Sequence, residues 1–319
     1  MKSPIKWHGG KSYLAKHIVN LMPPHVTFVE PYFGAGSVLF ARDPKKNWAA
    51  TNGESLPAHL RGCNEIVNDI HGHLVNFWRV LAKEESFSKF CRVIEATPCC
   101  EAIFDSANSR LARPTEGSES TPSVDDAVAF FICCRQSRAA KFEEFTTIAR
   151  SRTRRGVNEL PSAWWAAIEG LPKVHERLRG VVILNRDASE VIRTQDGPGT
   201  LFYIDPPYLH ETRVAKSVYV HEMNEDQHRE LLTSLLEIQG KVLLSGYPSE
   251  LYDEFARKGN WNRKDFAIAN HASGSKIKRM ITEWRFDFAL PCTPLAIVGL
   301  AATDRAASLH FRHTDTCDY

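Results

Sequence analysis

Short apolar runs that alternate with amphipathic stretches occur on either side of a helical central region. Five runs are rich in β-branched or aromatic residues, which predicts buried strands at 26–29, 64–70, 181–187, 201–204 and 241–247. Two further strands are expected near 262–268 and 280–288. Amphipathic helices are predicted over 224–238, where Asn224 and Gln227 have capping-box spacing, and over 249–258. Because strands and helices alternate, the pattern predicts an α/β fold with an open, largely parallel sheet.

Helical periodicity dominates the region between the two groups of strands. An apolar stripe predicts a helix over 71–97. A second, buried helix is predicted over 125–134, with acidic residues in its first turn. A third is predicted over 161–178, in two pieces that separate near Gly170.

Polar stretches without periodicity predict loops at 43–62 and 113–123. The strand-bearing parts on either side of the helical region belong to one sheet, so the helical region is inserted into the sheet domain rather than appended to it. We therefore expect a sheet domain made of 1–83 and 179–290, an inserted helical domain at 84–178 and a tail at 291–319.

Composition is that of an ordinary globular protein, with 319 residues, 43% hydrophobic and 24% charged. An apolar stretch of about 18 residues is absent from the sequence, so we expect no membrane span. The N-terminus lacks the apolar core of a signal peptide, which predicts a cytoplasmic location. The eight cysteines have no zinc-ligand spacing, so reduced thiols and no metal site are expected.

Basic residues are concentrated in one segment of the predicted insert. The overall net charge is only +2, but 135–155 contains seven basic residues and two acidic ones, a local net charge of +5. Such a run is compatible with a solvated surface and with a surface that contacts phosphates. The candidate phosphate contacts on such a surface are Arg138, Lys141, Arg150, Arg152 and Arg154.

The strongest chemical signal is the sequence FYIDPPYLH at 202–210, where a predicted strand ends in Asp205, Pro206, Pro207 and Tyr208. Ligands of open α/β sheets bind outside the carboxyl ends of strands. Two prolines fix the backbone, so the Asp205 carboxylate and the neighbouring carbonyls form a rigid array of hydrogen-bond acceptors. An exocyclic NH2 group on a flat base has two hydrogens for such acceptors, and an exposed Tyr208 ring can stack on the base.

Three further features of the sequence suit a nucleotide-like ligand. EPYFGAGS at 30–37 places Gly34 and Gly36 directly after a strand, but the third glycine of a dinucleotide fingerprint is absent, which disfavours NAD. Asp69 ends the second strand, where an acid can bind ribose hydroxyls. KWHGGK at 6–11 adds Trp7 and Lys11, which can pack on a ligand and meet a carboxylate.

The ordered motifs KWHGGK, VEPYFGAGS and DPPY, followed by KVLLSGYPSELY and KRMITEW, resemble the Dam-type DNA adenine methyltransferases of phages and prophages. The resemblance covers about residues 4–288. It implies a Rossmann-like sheet that binds S-adenosylmethionine and an inserted domain that recognises the DNA target. DPPY alone is shared with cytosine-amine, RNA and protein-glutamine methyltransferases, so the specific indication comes from the full ordered set.

The resemblance also implies roles for individual residues. Trp7, Lys11, Asp69 and Asp205 match positions that contact the cofactor, and Glu30, Gly34 and Gly36 match the methionine side of its pocket. Asp187 occupies the place of a contact to the cofactor's adenine. In the insert, the basic run and Trp164–Trp165 are implied DNA contacts. Two departures from the family pattern are the 39 positions from Glu30 to Asp69 and the unmatched segment 290–319.

These observations predict an enzyme that flips an adenine out of double-stranded DNA and methylates its amine, with no metal and no obligate protein partner. Asp205, Pro206, Pro207 and Tyr208 are the expected catalytic group. The alternatives are an enzyme that methylates cytosine N4 or RNA, and a DNA-binding module without catalytic activity. The sequence gives neither the recognition site nor a choice between a solitary enzyme and half of a restriction–modification system.

Overall fold

A computed structural model describes residues 1–7, 9–46, 48, 62–114, 121–148, 150–209, 222–269 and 278–285. Its strands, in chain order, are β1 (Thr27–Glu30), β2 (Asn64–Asn68), β3 (Thr153–Arg154), β4 (Val157–Asn158), β5 (Val181–Leu184), β6 (Thr200–Ile204), β7 (Lys241–Gly246), β8 (Asn262–Ala269) and β9 (Lys278–Arg285). Seven of them form a sheet of order β5-β2-β1-β6-β7-β9-β8, while β3 and β4 form a separate hairpin.

The helices of the described residues cover both faces of the sheet and fill the central region. They are α1 (Ala15–Asn20), α2 (Ser37–Ala41), α3 (Gly72–Ala82), α4 (Glu84–Glu95), α5 (Glu101–Leu111), α6 (Val124–Gln136), α7 (Glu159–Glu169), α8 (Leu171–Leu178), α9 (Ala188–Gln195), α10 (Glu225–Glu237) and α11 (Glu250–Gly259).

The predicted α/β fold with a largely parallel sheet is confirmed. Strands β5, β2, β1, β6 and β7 pair in parallel, whereas β9 pairs antiparallel with both β7 and β8. In the parallel part, Val29 lies opposite Ile66 on one side and Phe202 on the other. The carboxyl ends of β1, β2 and β6 therefore meet at one edge, where the candidate site residues of all three strands come together.

Alternating side chains of the central strands pack into two different cores. Leu201 and Tyr203 belong to the core on one face, with Phe77 and Phe130, whereas Phe202 belongs to the core on the other face. This alternation is the period of two expected of a strand buried on both sides. It explains why the β6 run is almost continuously apolar.

Helix α3 joins the sheet to the helices of the central region. The ring of Phe77 on α3 stacks on Phe131 of α6 at 5.9 Å and meets Phe90 of α4 edge-on, also at 5.9 Å. The same core continues to Trp164 of α7 and Leu178 of α8. The helices of 84–178 thus share one hydrophobic core with a face of the sheet.

A buried ion cluster also fixes this central region to the sheet. Glu65 of β2 accepts hydrogen bonds from Arg42 at 3.1 Å and from Arg177 of α8 at 2.6 and 2.7 Å. The Arg42 guanidinium lies over the rings of Phe28 and Trp48, at 4.0 and 4.2 Å. Removal of Glu65 would leave two buried cations without a carboxylate, a change that typically costs about 3–5 kcal/mol.

Several helix predictions are confirmed and others were wrong. Helix α10 has the full Asn224–Gln227 capping box, and the helix over 161–178 does divide at Gly170. The single helix predicted over 71–97 is in fact two, because Lys83 adopts an extended conformation between α3 and α4. Helices α1 and α5 were not predicted.

Some predicted segments lie outside the described residues. These are most of the 43–62 loop, part of the 113–123 loop and the whole 291–319 tail. Within the described part of the chain, every helix is too short or too polar to cross a membrane.

Candidate active site

A cavity of about 710 Å³ opens at the edge where β1, β2 and β6 end. Every predicted cofactor-binding residue lines this cavity, and so does one proline of the DPPY motif. They are Trp7, Lys11, Glu30, Gly34, Gly36, Asp69, Asp187, Asp205 and Pro207. The structure therefore brings together residues from the loop before α1, from the ends of β1 and β2, and from the segments that follow β5 and β6.

The turn between β1 and α2 forms one wall of the cavity, and its conformation requires glycine. Gly34 and Gly36 have φ values of +49° and +65°, in the left-handed region that L side chains avoid. A Cβ atom on Gly36 would lie 2.5 Å from Cζ of Phe33, and one on Gly34 would lie 3.1 Å from Cδ1 of Trp7. The turn is thus closely packed as well as left-handed.

Asp69 connects this turn to the next strand. Its Oδ2 accepts a hydrogen bond from the Gly34 amide at 2.9 Å, and its Oδ1 accepts one from the His71 amide at 2.9 Å. The long spacing between Glu30 and Asp69 does not separate them, because β1 and β2 pair in parallel. Asp69 itself lines the cavity.

Asn68 is a buried residue of this edge that sequence reasoning missed. Its Nδ2 donates to the carbonyls of Pro31 and Arg186, both at 3.0 Å, and its Oδ1 accepts from the Arg186 amide at 2.9 Å. Asn185 adds a bond from Nδ2 to the Asp69 carbonyl at 2.7 Å. These bonds fix the loops after β1, β2 and β5 together. The only signal in the sequence is an asparagine at a strand end.

Asp187 lines the far side of the cavity and is also a helix cap. Its Oδ1 accepts hydrogen bonds from the Ser189 and Glu190 amides, at 2.8 and 3.3 Å. Tyr32 lies on the same side, and its pKa is raised above the usual range by burial and by the charges of Asp187 and Asp69. The Tyr32 phenol thus stays protonated and able to donate.

Glu30 ends β1 at the inner wall of the cavity. It is 2% exposed, and its Oε2 has no hydrogen-bond partner among the described residues. Burial, and next the nearby charge of Asp205, raise the pKa of Glu30 well above its usual range. An orphaned carboxyl oxygen facing a cavity is the type of group that a cationic ligand can satisfy.

Asp205 follows β6 and is held by two neighbours. Both carboxylate oxygens lie 2.8 Å from Nζ of Lys11, and Oδ1 also accepts a hydrogen bond from the Tyr208 hydroxyl at 3.1 Å. The prediction of an exposed Tyr208 ring was wrong. Tyr208 is 6% exposed, because its ring packs edge-on against Tyr247 at 4.7 Å and lies beneath the Lys11 ammonium.

Trp7 connects the cavity to the central helices. Its ring contacts His71 and Phe130, each at 5.5 Å between centroids, and Phe142 at 6.2 Å. Phe142 and Ala140 have φ values of +68° and +56° although neither is glycine. Both line the cavity, so the loop that follows α6 forms part of its mouth.

Comparison with known proteins identifies the family. Residues 7–266 match the sequence model of the family described as D12 class N6 adenine-specific DNA methyltransferase. The chain is a member of this family. The predicted activity, methylation of adenine N6 in DNA, is thereby confirmed, as is the predicted methyltransferase fold. The family assignment favours adenine in DNA over the three alternatives, which were cytosine N4, RNA and a non-catalytic DNA-binding module.

A curated relative agrees with the family assignment. The methyltransferase is 26% identical over 296 residues to "Type II methyltransferase M1.LlaDCHI" of Lactococcus lactis subsp. cremoris. The match covers 87% of this chain and 92% of the relative. The similarity thus extends over nearly the whole length of both proteins.

The basic segment of the methyltransferase lies beside the cavity mouth and on an adjoining hairpin. Lys141 lines the cavity, and Arg150, Arg152 and Arg154 are exposed, the last on the β3–β4 hairpin. Arg138 lies 3.7 Å from Glu144 in a loose, exposed ion pair. Exposed pairs of this kind contribute little, so the arginines can exchange them for other anions.

The two adjacent tryptophans of α7 have different environments. Trp164 is 2% exposed and donates from its indole nitrogen to the Thr97 carbonyl at 2.9 Å. The prediction that Trp164 contacts DNA was therefore wrong, because the residue belongs to the core. Trp165 is 47% exposed and remains available to a ligand.

Proposed function

We propose that this methyltransferase binds S-adenosylmethionine in the cavity and methylates an adenine flipped out of double-stranded DNA. One observation carries the proposal: three features line one cavity, namely the left-handed glycine turn, the Glu30 carboxyl, whose Oε2 has no hydrogen-bond partner among the described residues, and the DPPY carboxylate Asp205. The glycine turn and Glu30 suit a cofactor, and Asp205 suits the amine of the target base. Their convergence supports a site that holds a methyl donor beside its acceptor.

The residues of the cavity fit S-adenosylmethionine. The volume, about 710 Å³, is within the range of ligand pockets. Glu30 would bind the ammonium of the methionine part, with the glycine turn beside it. Asp69 would accept hydrogen bonds from the ribose hydroxyls, and Ile70, which is 50% exposed at the cavity, offers an apolar surface to the adenine ring. When bound, the cofactor supplies a methyl group on a sulfonium, which a nitrogen lone pair can displace.

Asp205 and the carbonyl of Pro206 would hold the target amine by accepting its two hydrogens. These bonds turn the lone pair of N6 out of conjugation with the base and towards the methyl group. The cofactor, held by Glu30 and Asp69, would supply the methyl carbon for the new carbon–nitrogen bond, and the electron pair of its carbon–sulfur bond would stay on sulfur. The surplus amine proton leaves through Asp205 to water. Positioning accounts for most of the rate enhancement.

Duplex DNA requires that the base leave the stack first. In the helix the adenine amine is paired and is out of reach of a cavity at the sheet edge. We assign the phosphate contacts that hold the DNA to Arg138, Lys141, Arg150, Arg152 and Arg154, with Trp165 as a further contact. The region 84–178 would then select the target sequence. The relative's designation as a Type II methyltransferase favours a role in restriction–modification.

Methyl transfer from labelled S-adenosylmethionine tests this proposal. One substrate is a pool of DNA duplexes with many different sequences, and the other is the same DNA as separate single strands. We expect cofactor binding without DNA, label in N6-methyladenine, and faster transfer to the duplex. Within target duplexes, 2-aminopurine in place of the target adenine should brighten on binding, because flipping removes stacking. Transfer to single strands only, or a protein that does not bind S-adenosylmethionine, would contradict the proposal.

A further inference from the structure

The β3–β4 hairpin carries an arginine at a turn position that favours other residues. Arg154 lies opposite Val157, so Arg155 and Gly156 form a two-residue turn between the strands. Both have positive φ, +55° and +75°, the backbone of the tight hairpin turn in which Asn-Gly or Gly-Gly is preferred. A long side chain is strained in this conformation. The backbone therefore gives no reason for an arginine at 155, and the reason must lie in its side chain.

Glu169 is the partner of this side chain and is also unfavourably placed. It is the last residue of α7, where the helix dipole disfavours an acidic side chain. Its two carboxylate oxygens accept from Nη1 of Arg155, at 2.8 and 3.0 Å. The two side chains are 48% and 60% exposed, and an exposed ion pair contributes little to stability. Two locally unfavourable residues that form a weak pair are typical of a functional site rather than of a structural contact.

The pair leaves most of the guanidinium available to a ligand. Only Nη1 of Arg155 contacts Glu169, while Nε and Nη2 have no hydrogen-bond partner among the residues that the structure describes. A Cβ on Gly156 would have no neighbour within 4 Å, so the turn is open to solvent. Trp165 is 47% exposed and lies one helical turn before Glu169, on the same face of α7. The hairpin thus presents an oriented guanidinium with free donors.

The chemistry of this pair favours the edge of a base over a phosphate. Glu169 neutralises the charge of Arg155 and would repel a phosphate at that place, whereas the edge of a guanine is uncharged. Guanine presents two acceptors, O6 and N7, in the major groove, and an arginine binds both through two N–H groups. The major groove also admits a two-stranded β-ribbon, which is the form of β3 and β4. The ligand that fits this hairpin is therefore a guanine in duplex DNA.

We propose that Arg155, oriented by Glu169, is a specificity-determining residue that reads one guanine of the target sequence in the major groove. The inference rests on the proposed function, because it requires that the methyltransferase act on duplex DNA. It gives Arg155 a different role from Arg152 and Arg154, which are assigned to phosphates. Phosphate contacts hold every sequence alike, whereas a base contact selects one.

Arg155→Gly tests the guanidinium, because glycine suits the positive φ of the turn and should leave the hairpin folded. The wild type and the variant are expressed in a host without DNA methylation, and N6-methyladenine is mapped by single-molecule sequencing. We expect a wild-type motif with a G·C pair at a position where Arg155→Gly accepts other pairs. In binding to matched duplexes, the preference for G·C over A·T at that position should fall by about ten- to hundredfold.

Arg154→Ala is the matched control, since it removes one positive charge from the same hairpin. It should weaken binding at every sequence alike and leave the methylated motif as it is in the wild type. Three results would overturn the inference: a wild-type motif without a G·C pair, an unchanged motif in Arg155→Gly, or a loss of affinity in Arg155→Gly that is equal at all sequences.

Glu169→Gln is a second test that leaves the hairpin turn untouched. It keeps Arg155 but removes the charge that orients the guanidinium. The preference for the same G·C pair should fall by about threefold or more, as for loss of an exposed ion pair, and no other base should become preferred. An unchanged preference would overturn the role of Glu169.

The wild type separates failure of this inference from failure of the proposed function. A wild type that methylates no adenine in duplex DNA would contradict the proposed function. An active wild type, together with an Arg155→Gly variant that keeps the same motif, would contradict the inference alone.

Discussion

The amide of Gly34 donates a hydrogen bond of 2.9 Å to Oδ2 of Asp69 and thereby joins the glycine turn after β1 to the end of β2. The other oxygen of Asp69 accepts from the His71 amide at the start of α3. One carboxylate thus sets the spacing between the two walls on either side of the proposed cofactor site.

Asp69→Asn should weaken S-adenosylmethionine binding almost as much as Asp69→Ala. Both oxygens of Asp69 accept backbone N–H groups, and an asparagine would turn its NH2 against one of them. We expect a loss of about tenfold or more in affinity from one misplaced bond to the carboxylate. Titration calorimetry of both variants measures this. If asparagine binds the cofactor as tightly as aspartate, the two amide bonds do not determine the shape of the site.

Gly36→Ala should cost more stability than Gly156→Ala. Both glycines have positive φ, so alanine is strained by about 1–2 kcal/mol at either position. A Cβ on Gly156 has no neighbour within 4 Å, whereas one on Gly36 lies 2.5 Å from the Phe33 ring in the cavity wall. Urea unfolding measures the stabilities, and cofactor binding should be lost only in Gly36→Ala. Equal losses of stability and intact cofactor binding would show that the turn tolerates a side chain.

Glu30→Gln should change the pH dependence of stability in the cofactor-free protein. The pKa of Glu30 is raised in the folded state, mainly by burial, so the folded state holds a proton that the unfolded state releases above about pH 4.3. Wild-type stability should therefore fall, relative to Glu30→Gln, as the pH rises above that value towards the folded pKa. Each pH unit in this window contributes up to about 1.4 kcal/mol.

Denaturant unfolding at pH 5 and pH 8 checks the sign of this effect. Saturating S-adenosylmethionine should reduce the difference in the wild type, because the ammonium of the cofactor favours an ionised Glu30. Parallel pH profiles for the two proteins, with or without cofactor, would show that Glu30 does not titrate as its burial requires.

Replacing both Arg152 and Arg154 by alanine should weaken DNA binding at every sequence alike. Each lost phosphate contact should make the slope of log affinity against log salt concentration shallower by about 0.9. The double variant should therefore lose up to about two units of slope, with unchanged S-adenosylmethionine affinity. Arg257→Ala/Lys258→Ala on α11 is the matched control for the same change in charge. An unchanged slope would make the basic run an ordinary solvated surface.

Much of the fold could be predicted, because strands buried in a parallel sheet leave continuous apolar runs such as that before Asp205. The ends of these runs also indicated the position of the candidate site, because open α/β sheets bind their ligands at the carboxyl ends of the strands. The division at Lys83 could not be predicted, because a lysine between two helical stripes carries no breaking signal. Helix α5 also escaped prediction, as its polar surface leaves a weak apolar stripe.

The contacts between side chains were the part of the site that could not be predicted from the sequence. The ion pair of Lys11 with Asp205 joins positions 194 residues apart, from the loop before α1 and the turn after β6, and only the folded chain brings them together. Asn68 has no motif, because its role depends on carbonyls from other loops. Trp164 and Trp165 differ in burial because successive residues of a helix face different directions, and an exposed and a buried tryptophan look alike in the sequence.

The most direct test of the central claim is to identify the modified base in DNA from cells that express either the wild type or Asp205→Ala. Both proteins are expressed in a host without DNA methylation, and the DNA is digested and analysed by mass spectrometry. We predict N6-methyladenine with the wild type and at least a hundredfold less with Asp205→Ala, which should still bind DNA because the basic segment is unchanged. N6-methyladenine within tenfold of the wild type in Asp205→Ala, or N4-methylcytosine from the wild type, would contradict this account.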